Sequence, residues 1–213
     1  MSGVVKRPVQ ARSKDKREAI LNAALQHFAD HGFDGARTRD IALTAGVHHP
    51  AIKYYFGNKE GLWKEAVTSM FQRMYNEVIA PIDDLAPEDD VQRFKLFIEK
   101  YIRYCARHPE HARITIAESN RGGERLAWMV NKFVKSSHAE ALLHYNRMID
   151  SGALPNVSRV SLLYTVVGLC QMPFVISKEA ELAFNVDMSA DEMVEDHIET
   201  VKQLFCAHLL GKG

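Results

Sequence analysis

A chain of 213 residues, 46% hydrophobic and 25% charged, is long enough for one large or two modest domains with a buried core, and too ordinary in composition for a fibrous or disordered protein. The formal net charge is zero, but residues 1–60 carry ten Lys/Arg against six Asp/Glu, so a +4 head is joined to a −4 body, as expected where one end meets phosphate. Three widely spaced cysteines, Cys105, Cys170 and Cys206, argue for free thiols in a reducing cytoplasm and against a disulfide framework.

The opening MSGVVKRPVQ has no apolar run long enough for a secretory signal. A first helix is expected from Ser13, a favourable N-cap, with Ile20, Ala24 and Phe28 repeating every four residues and Gly32 as its stop. A second, capped by Thr38, ends at Ala45 before Gly46, and a third runs from about His48 to Phe56, with Pro50 tolerated in its first turn. Gly57-Asn58 breaks the chain, and a long helix follows from Lys59 to about Ile79. Residues 80–88 read as a connector. Further helices are expected over 89–107, 110–120, 124–150, 157–177 and 190–210, with Pro109, Gly122-Gly123 and Gly152 as breaks. The apolar stretch 157–176 is interrupted by Ser158, Arg159, Gln171 and Pro173 and reads as a buried or interfacial helix, with no membrane partner.

The segment 38–56 has the make-up of a helix-turn-helix. Ile41, Ala42 and Ala45 give the second helix a small-residue face that the third can cross closely, and Gly46 permits a tight turn. Val47, Ala51 and Ile52 face inward, which leaves His48, His49, Lys53 and Tyr55 on other faces. The string Thr38-x-x-Ile41-Ala42-x-x-Ala45-Gly46-Val47, then Ile52-x-Tyr54-x-Phe56-x-x-Lys59-x-x-Leu62, closely resembles the DNA-binding domain of the TetR family, as do Ile20, Ala23, Ala24, Phe28, Gly32 and Phe33 before it. The resemblance covers roughly residues 14–65. It departs at two positions: the family usually has Tyr where this chain has Lys53, and often His where it has Tyr55.

The resemblance implies an all-α fold: a three-helix helix-turn-helix domain over residues 1–60, with its basic arm, and a larger helical ligand-binding and dimerisation domain over 61–213. It implies a cytoplasmic transcriptional regulator, typically a repressor released by a small-molecule effector, acting as a homodimer on a pseudo-palindromic operator in double-stranded DNA. Thr38 and Lys59, at helix N-termini, are expected to hold phosphates. His49 and Lys53 are the candidates for base edges, with His48 beside them. Tyr55 can donate to phosphate through its hydroxyl; Tyr54 either does the same or packs beneath the motif. Lys6, Arg7, Arg12, Lys14 and Arg17 either clamp flanking DNA or form a solvated tail.

The last two expected helices are implied as the dimer interface: Leu162, Leu163, Val166, Val167, Leu169 and Cys170 are more apolar positions than one face of a surface helix needs, and Met193, Ile198, Val201, Leu204, Phe205 and Leu209 make a second apolar stripe. For an effector, Met70, Met74, Phe97, Tyr101, Tyr104, Trp128, Met129 and Phe133 either line a pocket or form plain core. Glu118, followed by Ser119 and Asn120, is either a polar contact in that pocket or part of a surface turn. Cys105, His108 and His111 are spaced three apart, but Pro109 interrupts them and no fourth ligand is indicated, so no metal or other cofactor is expected. No nucleophile–base pair or phosphate loop stands out, so no enzymatic activity is expected.

Overall fold

The computed structural model describes residues 9–85 and 89–210, and side chains over 13–84 and 89–205. Among the described residues every regular element is a helix. The first, α1 (Val9–Gly35), starts four residues before the expected cap. Ser13 therefore caps nothing; it lies inside the helix, and its hydroxyl lies 3.0 Å from that of Tyr55. The apolar repeat buries Ile20, Ala24, Leu25 and Phe28 against the rest of the head. Gly32 breaks the helix at a φ of 66°, a conformation that L side chains rarely adopt.

Helix α2 (Thr38–Thr44) is preceded by an extended Arg37, so Thr38 is its first residue and not its cap. It ends as the sequence implies. Val47 N–H donates to the Ala42 carbonyl and Gly46 N–H to that of Leu43, the paired bonds that close a helix on a left-handed glycine. Helix α3 (Pro50–Phe56) follows, and Gly57 closes it. Asn58 then caps α4 (Lys59–Met74), accepting from Gly61 N–H at 2.8 Å. A Cβ at Gly61 would lie 2.2 Å from the Phe56 carbonyl oxygen, so only glycine allows α4 to start this close to the end of α3.

Helix α4 does not stop at Ile79. A π-helical turn, Tyr75–Ile79, leads directly into α5 (Ala80–Leu85), so the connector expected from residue 80 is helical as far as Leu85. The widened turn comes just ahead of Pro81, which lacks the N–H and crowds the carbonyl that a regular helix would present to it. Helix α6 (Asp90–Arg107), capped by Asp89, and α7 (Pro109–Arg121) follow. The single long helix expected over 124–150 is α8 (Glu124–Met129), a second π-helical turn (Val130–Val134) and α9 (Lys135–Asp150). Helix α10 (Arg159–Val175) and α12 (Asp191–Leu210) are separated by α11 (Ser177–Phe184), which the apolar periodicity did not disclose.

Two cores organise the chain. One joins α1 to α4 with Ile114 of α7 and Met129 of α8; the other joins α6, α9, α10 and α12, with Val78. Met74 packs against both. The first core takes Leu62, Trp63, Val67 and Met70 from beyond residue 60, so α4 belongs to the head and the body at once. Among the described residues no single helix is long and apolar enough to cross a membrane, and α10 buries Leu162, Leu163, Val166, Cys170 and Phe174 in the second core.

Candidate nucleic-acid interface

The helix-turn-helix leaves four of the expected contact residues open to solvent. His48, His49, Lys53 and Tyr54 are exposed, Tyr54 to 82%, while Ile52 and Phe56 hold α3 to the core. A large aromatic left that open on a short helix is not packing beneath the motif. The Tyr54 ring stands edge-on to Tyr55, centroids 5.0 Å apart. Tyr55 is half-buried and bonded to Ser13, which ties the start of α1 to the middle of α3.

Thr38 and His49 meet across the turn, Oγ1 to Nε2 at 3.0 Å, so the start of α2 fixes the imidazole that precedes α3. The bond occupies one ring nitrogen and leaves the other for an outside partner. Lys59 is less open than its place at the start of α4 suggested. Its ammonium donates to the Asp34 carbonyl at 3.1 Å and stands 4.9 Å from the Phe33 ring centroid. Burial, and then the nearby Arg125 guanidinium, lower its pKa from the ordinary lysine value.

The basic residues before the motif divide. Lys14 pairs with Glu18, and Arg17 pairs with Glu65 at 2.5 Å while lying over Phe56, so Arg17 helps join α1 to α4. The structures of Lys6 and Arg7, and the side chain of Arg12, fall outside the described residues. Arg37 and Arg39, not singled out from the sequence, are exposed on either side of Thr38; their signal was the basic pair bracketing a helix start.

Residues 20–66 match the family model described as "Bacterial regulatory proteins, tetR family". The chain is 30% identical over 160 residues to the HTH-type transcriptional repressor NicS of Pseudomonas putida, covering 74% of this chain and 73% of that protein. The chain belongs to the TetR family of transcriptional regulators. It is also similar to the HTH-type transcriptional regulator RutR of Escherichia coli O157:H7, 24% identical over 189 residues, with 89% of this chain and 88% of the relative covered. Its fold is that of AibR, solved in complex with isovaleryl coenzyme A and operator DNA, with a TM-score of 0.73, 15% identity, and 90% and 98% of the two chains covered.

In this TetR-family regulator the residues considered for an effector are divided between the two cores. Met70, Trp128 and Phe133 sit in or against the first core, where Phe133 stacks on Phe71 at 4.5 Å, and Tyr101 and Tyr104 lie in the second. Met74 lies between them. Glu118 is not a surface-turn residue. It is buried, and both carboxylate oxygens accept from Arg125 Nε at 3.1 Å, across the Gly122-Gly123 turn. Arg125 in turn lies 4.0 Å from the Phe33 centroid, next to Lys59. With Arg121 paired to Asp34 and Arg113 to Asp30, α7 grips the end of α1.

A second polar group lies where α4, α6 and α7 meet. Tyr104 Oη stands 2.8 Å from His111 Nδ1 and 3.3 Å from the Met70 carbonyl. Burial brings the His111 pKa down to about 4, so the ring is neutral near pH 7. Beside it Arg73 pairs with Glu110, and His108 lies 3.3 Å from Glu77 and 3.5 Å from Glu110. Of the residues at this spacing, Cys105 is a buried free thiol, while His108 and His111 both lie against Tyr104, ring centroids 4.8 and 5.6 Å away; among the described residues no cluster has the make-up of a metal site.

Proposed function

We propose that this regulator binds a pseudo-palindromic operator as a homodimer and represses transcription until a small molecule held by its rear part lowers its affinity for DNA. The carrying observation is the helix-turn-helix itself, in which His48, His49, Lys53 and Tyr54 are exposed and Thr38 is hydrogen-bonded to His49. An α-helix of this kind fits the major groove, with side chains near its start reaching base edges. His49 and Lys53 read bases, with His48 beside them; Thr38, Tyr54, Tyr55 and Lys59 hold the backbone. Residues 1–60 form the reading head, and residues 61–213 bind the effector and the second subunit. Work on chromosomal DNA sets the protein in the cytoplasm.

Dimerisation is supported by an apolar stripe on α10 that the chain does not bury itself. Val160, Tyr164 and Met172 are exposed at four-residue intervals around Gly168, and Leu204 of α12 is exposed as well. Repression is supported by the similarity to NicS, a named repressor. An effector is supported by AibR, whose complex contains isovaleryl coenzyme A together with operator DNA. The junction of the two cores, from Met70 and Met74 to Tyr101, Tyr104, Glu118, Trp128 and Phe133, is where a small molecule would change how the head sits on the body.

Selection from random duplexes, followed by anisotropy titration and light scattering, tests the reading. The expected result is a two-fold symmetric motif bound by a dimer. Failure to enrich any motif, or binding as a monomer, overturns it.

A further inference from the structure

Glu118 is buried, and no step of DNA reading uses it. A carboxylate taken out of water is costly unless a cation meets it. Here the cation is Arg125, whose Nε–H lies 3.1 Å from both carboxylate oxygens. Held there, the guanidinium has its central carbon 4.0 Å from the Phe33 ring centroid and 5.8 Å from that of Trp63. Phe33 follows the Gly32 break in α1, and Trp63 stands one turn into α4, four residues after Lys59.

Lys59 has two contacts in the head, the Phe33 ring at 4.9 Å and the Asp34 carbonyl at 3.1 Å. Each of those residues is also held from the α7–α8 turn: Phe33 by Arg125, and Asp34, through its carboxylate, by Arg121. Between the two arginines lie Gly122 and Gly123, with φ of 71° and 86°, a backbone that L side chains rarely adopt. Near the other end of α7, His111 lies 2.8 Å from the hydroxyl of Tyr104, a residue of the second core. Helix α7 therefore runs from the second core to the two residues that hold Lys59.

We propose that Arg125 is a positioning residue for Lys59. Held by Glu118 and laid on Phe33, it fixes the ring against which the lysine rests, so a shift of α7 moves the ammonium at the start of α4. The two cations are near enough for Arg125 to lower the lysine's pKa, and their repulsion limits where the ammonium can settle. The DNA half of the inference rests on the reading of Lys59 as a backbone contact given above; the packing half does not.

A double-mutant cycle on affinity for a duplex selected by the wild-type protein tests the DNA half. Arg125→Lys keeps a charge for Glu118 and removes the planar group that lies over Phe33. It should weaken binding about three- to tenfold in the wild-type background and change nothing in a Lys59→Met chain, because residues that act through each other are not additive. The pair Glu118→Gln with Arg125→Gln removes both charges, leaves no buried charge unpaired, and should give the same pattern. An equal loss in both backgrounds would mean that Arg125 serves only the fold or meets DNA itself, and no loss in either that Lys59 does not depend on it; each overturns the proposal. Nuclear magnetic resonance of the protein without DNA tests the packing half. The Lys59 Cε proton signals, which feel the Phe33 ring current, should move in Arg125→Lys, and unmoved signals overturn the positioning. If Lys59→Met costs no affinity, or no duplex is ever selected, the backbone reading of Lys59 fails while the DNA-free spectra still decide whether Arg125 places the lysine.

Discussion

Thr38 and His49 are hydrogen-bonded to each other, Oγ1 to Nε2 at 3.0 Å, so the residue that opens the first helix of the motif orients the side chain that precedes the second. On the proposed reading, in which His49 meets a base edge and Thr38 a phosphate, the bond makes Thr38 a part of base reading as well. Thr38→Val keeps the shape and removes the hydroxyl. It should blur base preference in the same half-site position as His49→Ala, each discriminating contact being worth about 1–3 kcal/mol. Selection on random duplexes with both variants checks this. Identical motifs from wild type and His49→Ala would move base reading elsewhere on α3.

Lys59 serves two neighbours at once. Its ammonium donates to the Asp34 carbonyl and faces Phe33, yet it stands in the first turn of α4, where phosphate is attracted. An ammonium has three donors, so holding Asp34 leaves capacity for a phosphate oxygen. Lys59→Met should flatten the log–log salt dependence of DNA binding by about 0.9, the share of one neutralised phosphate. A folded variant with the wild-type slope removes Lys59 from the backbone contacts.

The α10 stripe gives a prediction that separates interface from core. Tyr164 is 60% exposed and Leu204 64%, whereas Val166, two residues from Tyr164, is 0% exposed within its own subunit. Tyr164→Asp or Leu204→Asp should yield a folded monomer. Val166→Asp should instead unfold the chain, because a charge without a partner is forced into the second core. Light scattering and circular dichroism distinguish the outcomes. Dimers persisting in both surface variants would place the interface elsewhere.

The head was largely legible in the sequence because its signals are local: Gly46 and Gly57 close helices, and Ile41, Ala42 and Ile52 mark the buried side of a narrow crossing. The body was less so. A helix that is apolar all round, such as α10, does not say which face meets its own core and which a partner, and only the fold separates Val166 from Tyr164. Both π-helical turns were invisible, since one added residue per turn changes the facing of side chains without any Gly or Pro between Tyr75 and Ile79 or between Val130 and Val134. The burial of Glu118 was missed for another reason. A carboxylate reads as surface unless its cation is known, and Arg125 lies on the next helix, beyond a two-glycine turn.

The last prediction concerns acid and the clamp on α4. His111 is buried against Tyr104, its ring 4.8 Å from that of Phe71, with Glu110, Arg73 and His108 as the charged or titratable groups around it. Its folded pKa is about 4, against an ordinary value of 6.5. The unfolded chain therefore binds a proton on this residue at a higher pH than the folded chain does. Stability from the neutral ring is complete above about pH 6.5 and is lost as the pH falls towards 4, because between those limits unfolding takes up a proton. By pH 5 the loss is about 2 kcal/mol from this one group. His111→Gln cannot titrate yet can keep a polar atom near Tyr104. It should be less stable than wild type at pH 7.5 but lose about 2 kcal/mol less on acidification. Urea unfolding of both proteins at pH 7.5 and pH 5 measures the difference, in which all other carboxylates and histidines cancel. Parallel losses would mean that His111 does not carry the acid sensitivity. A selective loss in wild type would mean that His111 carries it, through the proton that the unfolded chain takes up and the folded chain does not.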